Sequence, residues 1–436
     1  MDASALHAPL VATDEPDCLA RWRAEARELL ARLGLPGRHD EHWRRADLGF
    51  LAAATHGIDA TAAPAPAHPV AGTSELAGLR AGIHLCFESG RFAPALSHLV
   101  DAAAVRVTRL GAARAGDGAA APALAPHAGL VGDLRLALLS RAAAADGAQM
   151  VVPRGSTPSR PLVLEHVGSS AGPGTAFVSH RLCLEPGASA TLVEFYDDRS
   201  AADFTLLGEL SIELGASSRL LHVRMVAPTH GARLVDTLRV DVGRGAEYVQ
   251  RTLAAPAAAL RSTQALALVG DGAHAVLHAG AFARRQADVD LRVLAEHAAD
   301  ATRSEQTVHV LAAAGRATVD SEALVPPGRR CVHSRQSLRA VLLEAGSDVA
   351  LRPRLAIRSD DVDSRHGATT AALPQDALFY LRSRGLDSRQ AQRLLVSAHL
   401  RRIFPATGDE ALDAFVQGFV QAALDCVLVG AGGAAA

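Results

Sequence analysis

Lysine is missing altogether: all 44 basic residues of this 436-residue chain are arginine. Without an ε-amine there is no Walker-type lysine to hold a nucleotide phosphate, no Schiff base and no anchor for pyridoxal phosphate. Aromatic residues are scarce too, at 4%. A core must then be built from Ala, Val and Leu, which suits thin repeated layers better than an interior of bulky interlocking side chains. Cysteine is thinly spread: the five thiols, at 18, 86, 183, 331 and 426, never form a C-x-x-C pair. That spacing argues against a disulfide framework and against a closed zinc site. Net charge is also lacking, since 46 acidic residues against the arginines leave −2, and neither nucleic acid nor an anionic membrane is implied as a partner. No apolar run approaches the length of a bilayer span, and Met1-Asp-Ala-Ser-Ala-Leu-His7 has neither a basic n-region nor an apolar h-region, so a cytoplasmic protein is expected. No nucleophile elbow, HExxH, Rossmann glycine pattern or P-loop occurs.

What is present is a core-forming supply of 49% hydrophobic residues, enough for two or three domains. Residues 16–33 place Leu19, Trp22, Ala26, Leu29, Leu30 and Leu33 near helical spacing, with Gly34 as a stop, and predict an amphipathic helix in an N-terminal helical segment, 1–60. A Pro/Ala-rich linker follows at 61–78, then a mixed α/β lead-in at 79–150.

From about residue 151 the texture changes to short alternating runs cut by glycine. Leu182-Cys-Leu184, Ile212-Glu-Leu214, Val240-Asp-Val242 and Leu266-Ala-Leu268 each precede a glycine turn, and the aligned glycines 187, 215, 245 and 272 lie 28, 30 and 27 residues apart. A fixed period in this range is what a solenoid produces, because each coil can bury its apolar edge only against the next. Period-2 alternation makes the coils of strand, and glycine permits the positive φ of a tight corner. The pattern continues less regularly through Gly315 and Gly346, so a β-solenoid is expected over 151–363. A sandwich of short hairpins would use strands of the same length.

The C-terminal part, 364–430, reads as helical, with a disordered tail at 431–436. Pro374 opens one helix that Gly385 stops, Asp387-Ser-Arg-Gln390 forms a capping box for a second ending before Pro405, and a third from about Asp409 sets Leu412, Phe415, Val416, Phe419, Val420 and Ala423 on one face. The expected shape is a rod whose end is fastened to a three-helix cap. Asp360-Asp361 cannot share a proton or a metal, because adjacent strand side chains face opposite ways. Cys331 and His333 would share a strand face, but two donors are not a site, and a surface turn after Pro326-Pro-Gly328 is the simpler reading. His274, His278, His297 and His309 are read as structural.

The sharpest stretch runs Pro353-Arg-Leu-Ala-Ile357, Asp360-Asp-Val-Asp-Ser-Arg-His366-Gly-Ala-Thr369, then Ala377-Leu-Phe-Tyr-Leu-Arg-Ser-Arg-Gly385, and places a lone histidine where strand gives way to helix. It resembles the signature of the SufB/SufD family, the paired scaffold proteins of the SUF iron-sulfur cluster assembly system. Gly34-Leu-Pro36 with Glu41, Trp43, Asp47 and Leu48 resembles the N-terminal segment of the family's SufD branch, Leu394-Leu-Val-Ser-Ala-His399 resembles that branch in its C-terminal helix, and His297 with Ser304-Glu-Gln306 fits a further family pattern. The resemblance implies a right-handed parallel β-helix flanked by N- and C-terminal helical subdomains. It implies a non-catalytic scaffold that pairs with SufB through the solenoid and receives the SufC ATPase on its C-terminal helices, with Phe379, Tyr380, Arg382 and Arg384 as the docking surface.

His366, by the same resemblance, takes part in cluster building at the SufB interface, as a ligand to a nascent iron-sulfur cluster that is transient and shared; imidazole suits iron and titrates near neutrality. Taken alone, a single histidine beside Gly367 at a strand end reads more simply as a turn residue. Ser364 stands where many relatives carry cysteine, so any thiolate must come mainly from the partner. A reduced flavin is implied at the level of the complex, with no flavin motif legible in this chain. Two other readings stay open: a β-helix polysaccharide lyase or hydrolase, which needs a carboxylate cluster on one solenoid face, and a SufB-like homodimeric scaffold acting where SufB is absent.

Overall fold

A computed structural model describes residues 17–37, 39–40, 43–45, 76, 78–99, 104–110, 134–144, 146–168, 174–198, 204–227, 233–255, 258–400 and 403–429. The linker expected at 61–78 falls outside these apart from 76 and 78, as does the tail expected at 431–436.

The expected solenoid is present, as a flattened coil of two facing parallel sheets. Successive strands alternate between the sheets, so each coil gives one strand to each. One sheet orders Ile83–Glu88, Leu162–Gly168, Ser189–Asp198, Arg219–Val226, Glu247–Ala254, His274–Arg284, Arg303–Ala313, Val332–Glu344 and Val362–Ala372. The other orders Arg106–Arg109, Ala148–Val152, Gly174–Leu184, Phe204–Leu214, Arg233–Val242, Ala259–Leu268, Asp288–His297, Arg316–Val325 and Asp348–Ile357. Among the described strands, antiparallel pairing is confined to the lead-in, where Ile83–Glu88 meets Arg91–Phe92 and His98–Leu99, and Arg106–Arg109 meets Ala148–Val152; an isolated antiparallel bridge joins Arg284 and Ala314.

In-register pairing stacks like side chains into columns along the inside of the rod. Leu184, Leu214, Val242 and Leu268 form one such column, each in register with the next and each buried. At about 1.5–3 kcal/mol per buried aliphatic side chain, these columns supply the cohesion that aromatic residues provide elsewhere. This is how a chain with so few aromatic residues builds its core.

The corners carry the repeat more faithfully than the strands do. Gly187, Ser217, Gly245, Gly272, Ala301 and Cys331 all have positive φ, at intervals of 30, 28, 27, 29 and 30 residues. Gly187, Ser217, Gly245, Gly272 and Ala301 each donate a backbone N–H to the residue just before the next corner position, as from Gly245 to Asp271 at 2.9 Å. The alignment expected from the sequence is therefore two residues out at the second corner: Ser217 at φ 59, not Gly215, is the partner of Gly187. Gly215 serves a different need, because a Cβ there would lie 2.7 Å from the nitrogen of Pro186 in the preceding coil.

Helix α1, Asp17–Leu33, ends at Gly34 as its sequence predicts, with φ +69 and its N–H given to Leu30. Its Ala26 and Leu30 pack with helix α2, Arg135–Ala143, onto Phe177, Leu207 and Val235 on the outside of the nine-stranded sheet. Trp43 is wholly buried there, with the Arg261 guanidinium 3.5 Å above its ring.

Three helices follow the rod: α3, Gln375–Ser383, α4, Ser388–Leu400, and α5, Glu410–Val429. The capping box forms at the start of α4, where Gln390 N–H donates to Asp387 Oδ1 at 2.8 Å and Asp387 N–H donates to Gln390 Oε1 at 3.0 Å. Two expectations are corrected here. The last strand runs to Ala372, beyond the expected boundary at 363. The helices also do not cap the rod's end: they fold back along the outside of the eleven-stranded sheet, where Leu400, Leu412, Phe415 and Phe419 share one apolar cluster with Val193, Phe195, Met225 and Phe282. The reason is apolar area, since those strands carry bulky side chains on their outer face while the last two strands of the same sheet carry Arg335, Arg365 and Thr369.

Candidate functional site

Because the helices turn back, the rod ends in an open coil. Asp348–Ile357 and Val362–Ala372 close the two sheets, and among the described residues each is paired on one side only. Unpaired strand edges are ready to accept another strand. His366 lies in the middle of Val362–Ala372, not at the strand-to-helix junction expected from the sequence. Gly367 had marked a turn in that reading, yet it continues the ladder, in register with Ser337.

Register decides where His366 belongs. Ser334, Gln336 and Leu338 alternate with exposed residues and are buried, so they face the inside of the rod. Ser364, His366 and Ala368 sit opposite them on the next strand. His366 therefore ends an inward-facing column, His222, Gln250, Leu277, Gln306, Gln336, His366, and is exposed because no further coil covers it.

A hydrogen-bonded file approaches the same opening from within. His297 Nδ1 lies 2.8 Å from Thr302 Oγ1, its Nε2 lies 2.9 Å from Ser304 Oγ, and Ser304 Oγ lies 3.1 Å from Ser334 Oγ. Ser364 is next in register, and its Oγ is buried without a hydrogen bond. Burial first, and the nearby His333 charge second, bring the His297 pKa down to about 4. His297, read from the sequence as structural, is hydrogen-bonded through both ring nitrogens here.

Deeper in the rod lies a group that the sequence reading missed. Arg224 donates from Nε to Glu194 at 2.5 Å and from Nη2 to Asp236 at 2.7 Å; Ser262 adds a bond to Asp236, and Tyr196 donates to Glu194. Burial raises the Glu194 pKa, but Arg224 and His222 outweigh it and hold the carboxyl well below its usual range. Asp236 goes the other way, raised by burial that Arg224 only partly offsets. Arg224 thus stands as the one cation between the two carboxyl groups. His166, stacked 4.5 Å from the Tyr196 ring, is brought down to about 4 by burial first. The available signal was a single charge set between apolar neighbours on strands whose two faces are both buried, Val193-Glu-Phe195 and Val223-Arg-Met225.

The remaining candidates are scattered. Cys331 sits in the corner turn at φ 55, not on the strand face of His333, and its Sγ lies 3.4 Å from Asp361 Oδ2. His333 is 3.8 Å from Asp363, an exposed pair of little energetic weight. Among the described residues no group of three or more His, Cys, Asp or Glu side chains could hold a metal ion, and no helix is long and apolar enough to cross a membrane. On α3, Phe379 is 75% and Tyr380 56% exposed, beside the exposed Arg382 and Arg384, whose guanidinium lies 5.3 Å from the Tyr380 ring. Leu378, in contrast, packs against the apolar cluster of the sheet.

Comparison with known proteins bears on the rod and on α3 together. Residues 166–399 match the family model described as SUF system FeS cluster assembly, SufBD core domain. The chain is 25% identical over 389 residues to the iron-sulfur cluster assembly protein SufD of Escherichia coli (strain K12), covering 88% of each. It is 26% identical over 444 residues to an iron-sulfur cluster assembly SufBD family protein of Synechocystis sp., covering 96% of this chain and 93% of that one.

Proposed function

This chain belongs to the SufBD core family of the SUF system for iron-sulfur cluster assembly, and we propose that it is a non-catalytic scaffold subunit that pairs with SufB at the open end of its rod. The observation that carries this reading is the last coil. Two strand edges and the inward faces of Leu355 and Ile357 are uncovered there, around an exposed imidazole. A second rod meeting this end would continue both sheets and cover His366, which then faces a nascent cluster as one ligand while the partner supplies thiolate. The cluster is cargo, shared and transient.

The SufC ATPase docks on α3 in the same proposal, through Phe379, Tyr380, Arg382 and Arg384. Large exposed aromatic groups beside arginine are the residue types that dominate binding energy at interfaces. A chain with no lysine and no P-loop takes its ATP-driven movement from such a partner. A reduced flavin belongs to the assembled complex in this reading.

Co-expression of the full chain with SufB and SufC tests the proposal. A three-component complex is expected, with Phe379→Asp releasing SufC alone and His366→Ala lowering cluster yield without dissolving the complex. A stable homodimer that ignores SufB would replace this reading with the homodimeric one, and unchanged cluster yield in His366→Ala would remove the imidazole from the mechanism.

A further inference from the structure

The last two coils differ at one inward position in a way that frees an oxygen beside His366. In the earlier of the two, Gln306 donates from Nε2 to the carbonyl of Glu322 at 3.3 Å, and its Oε1 accepts the hydroxyl of Ser321 across the rod. Gln336 is the register equivalent of Gln306 one coil on, and it repeats the first bond, donating from Nε2 to the carbonyl of Arg354 at 3.2 Å. It does not repeat the second. The register equivalent of Ser321 is Pro353, which has neither a hydroxyl nor an N–H. Gln336 is 4% exposed, its amide is oriented by the Arg354 carbonyl, and its Oε1 has no hydrogen-bond partner among the described residues.

Gln336 is also the in-register neighbour of His366, with both side chains on the inner face of adjacent strands. Strands lie about 4.8 Å apart, so the amide oxygen and the ring nitrogens are within reach through side-chain rotation alone. The geometry points to Gln336 as a positioning residue: its Oε1 accepts an N–H from the His366 ring, which fixes one tautomer and leaves the other nitrogen bare towards the opening. A ring N–H held by an acceptor makes the opposite nitrogen a better-oriented and more basic ligand. Pro353, the first residue of the signature stretch, keeps that acceptor unoccupied. This inference rests on the reading of His366 as a ligand, but its structural half can be tested separately.

Nuclear magnetic resonance of the full chain, with nitrogen-15 labelled histidine, reads the tautomer of His366. The wild type is expected to hold a single tautomer. Gln336→Leu removes the acceptor, and Pro353→Ser restores the Ser321-like hydroxyl that competes for it without touching either residue. Both should give mixed tautomers, with cluster yield in the reconstituted SufB and SufC complex falling by roughly tenfold. Thermal melting confirms that both variants fold, and Ser364→Ala removes the other free acceptor near the ring. Mixed tautomers already in the wild type, or a response to Ser364→Ala in place of Gln336→Leu, would overturn the assignment. If the tautomer responds to Gln336 while His366→Ala leaves cluster yield intact, the positioning stands and the ligand reading fails. If His366→Ala abolishes yield and Gln336→Leu changes neither tautomer nor yield, the reverse holds.

Discussion

Glycines two residues apart at one corner, Gly270 and Gly272, answer different physical demands, and two substitutions separate them. Gly272 sits at φ +70 with open space around it, so Gly272→Ala costs only left-handed backbone strain, about 1 kcal/mol. Gly270 has no positive φ, but a Cβ there would stand 2.0 Å from the Arg244 nitrogen, so Gly270→Ala must push a neighbouring coil aside and costs about 3 kcal/mol. Denaturant midpoints of the two variants should differ in that order. The sequence shows that glycine is frequent at corners, but it does not separate these two roles; that is why Gly215 was aligned with Gly187 when Ser217 is its partner. Buried imidazoles set a pH dependence at the same scale. His166 and His297 titrate at about 4 in the folded chain against 6.5 when unfolded. Above 6.5 both states hold them neutral. As the pH falls from 6.5 towards 4 the unfolded state binds protons first, so stability drops by about 3 kcal/mol for each residue and then levels off. Denaturation midpoints between pH 7 and pH 4 check this, and restoring two neutral amides with His166→Gln and His297→Gln should flatten the fall.

Strands and helices were the most legible elements. The three C-terminal helices begin and end close to where Pro374, Gly385, the Asp387 capping box and Asp409 place them, and the buried face of α5 is the one its spacing marks. The strand carrying His366 was misjudged because nothing bulky identifies it. Val362–Ala372 is mostly exposed and built of small and polar residues, so it shows no core alternation, and only its register with Val332–Glu344 reveals it. The charged group inside the rod was missed for the opposite reason, since Arg224 reads as an outward residue until both faces of its strand are known to be covered. Arg224→Met should cost about 3–5 kcal/mol, because it leaves Glu194 and Asp236 buried with no cation between them. Replacing Arg224, Glu194 and Asp236 together with apolar residues should recover much of that loss, which would separate an unpaired charge from lost packing.

At the scale of the whole molecule, one end of the rod is unfinished and its flank is covered, the reverse of the capped rod that helices following strands in the sequence led one to expect. Chain order does not say whether a helix lies across an end or along a side; the apolar outer faces of strands far upstream decide it. The uncovered end gives a direct prediction. Ile357 is 37% exposed and lies on the inward face of the final coil, so Ile357→Glu should leave the melting temperature of the isolated chain within a degree or two while abolishing co-purification with SufB. A fall in melting temperature of the isolated chain would show instead that the residue serves its own coil.

The side-lying helices also impose an order on biosynthesis. Val193, Phe195 and Met225 leave the ribosome well before the residues of α5 that cover them, Phe415 and Phe419. At typical translation speeds the gap is on the order of ten seconds or longer. Throughout it a greasy strip on a nascent sheet faces water, so a holdase that shields the strip until the chain is released should raise the yield of native protein, whereas faster elongation should shorten the exposure and do the same.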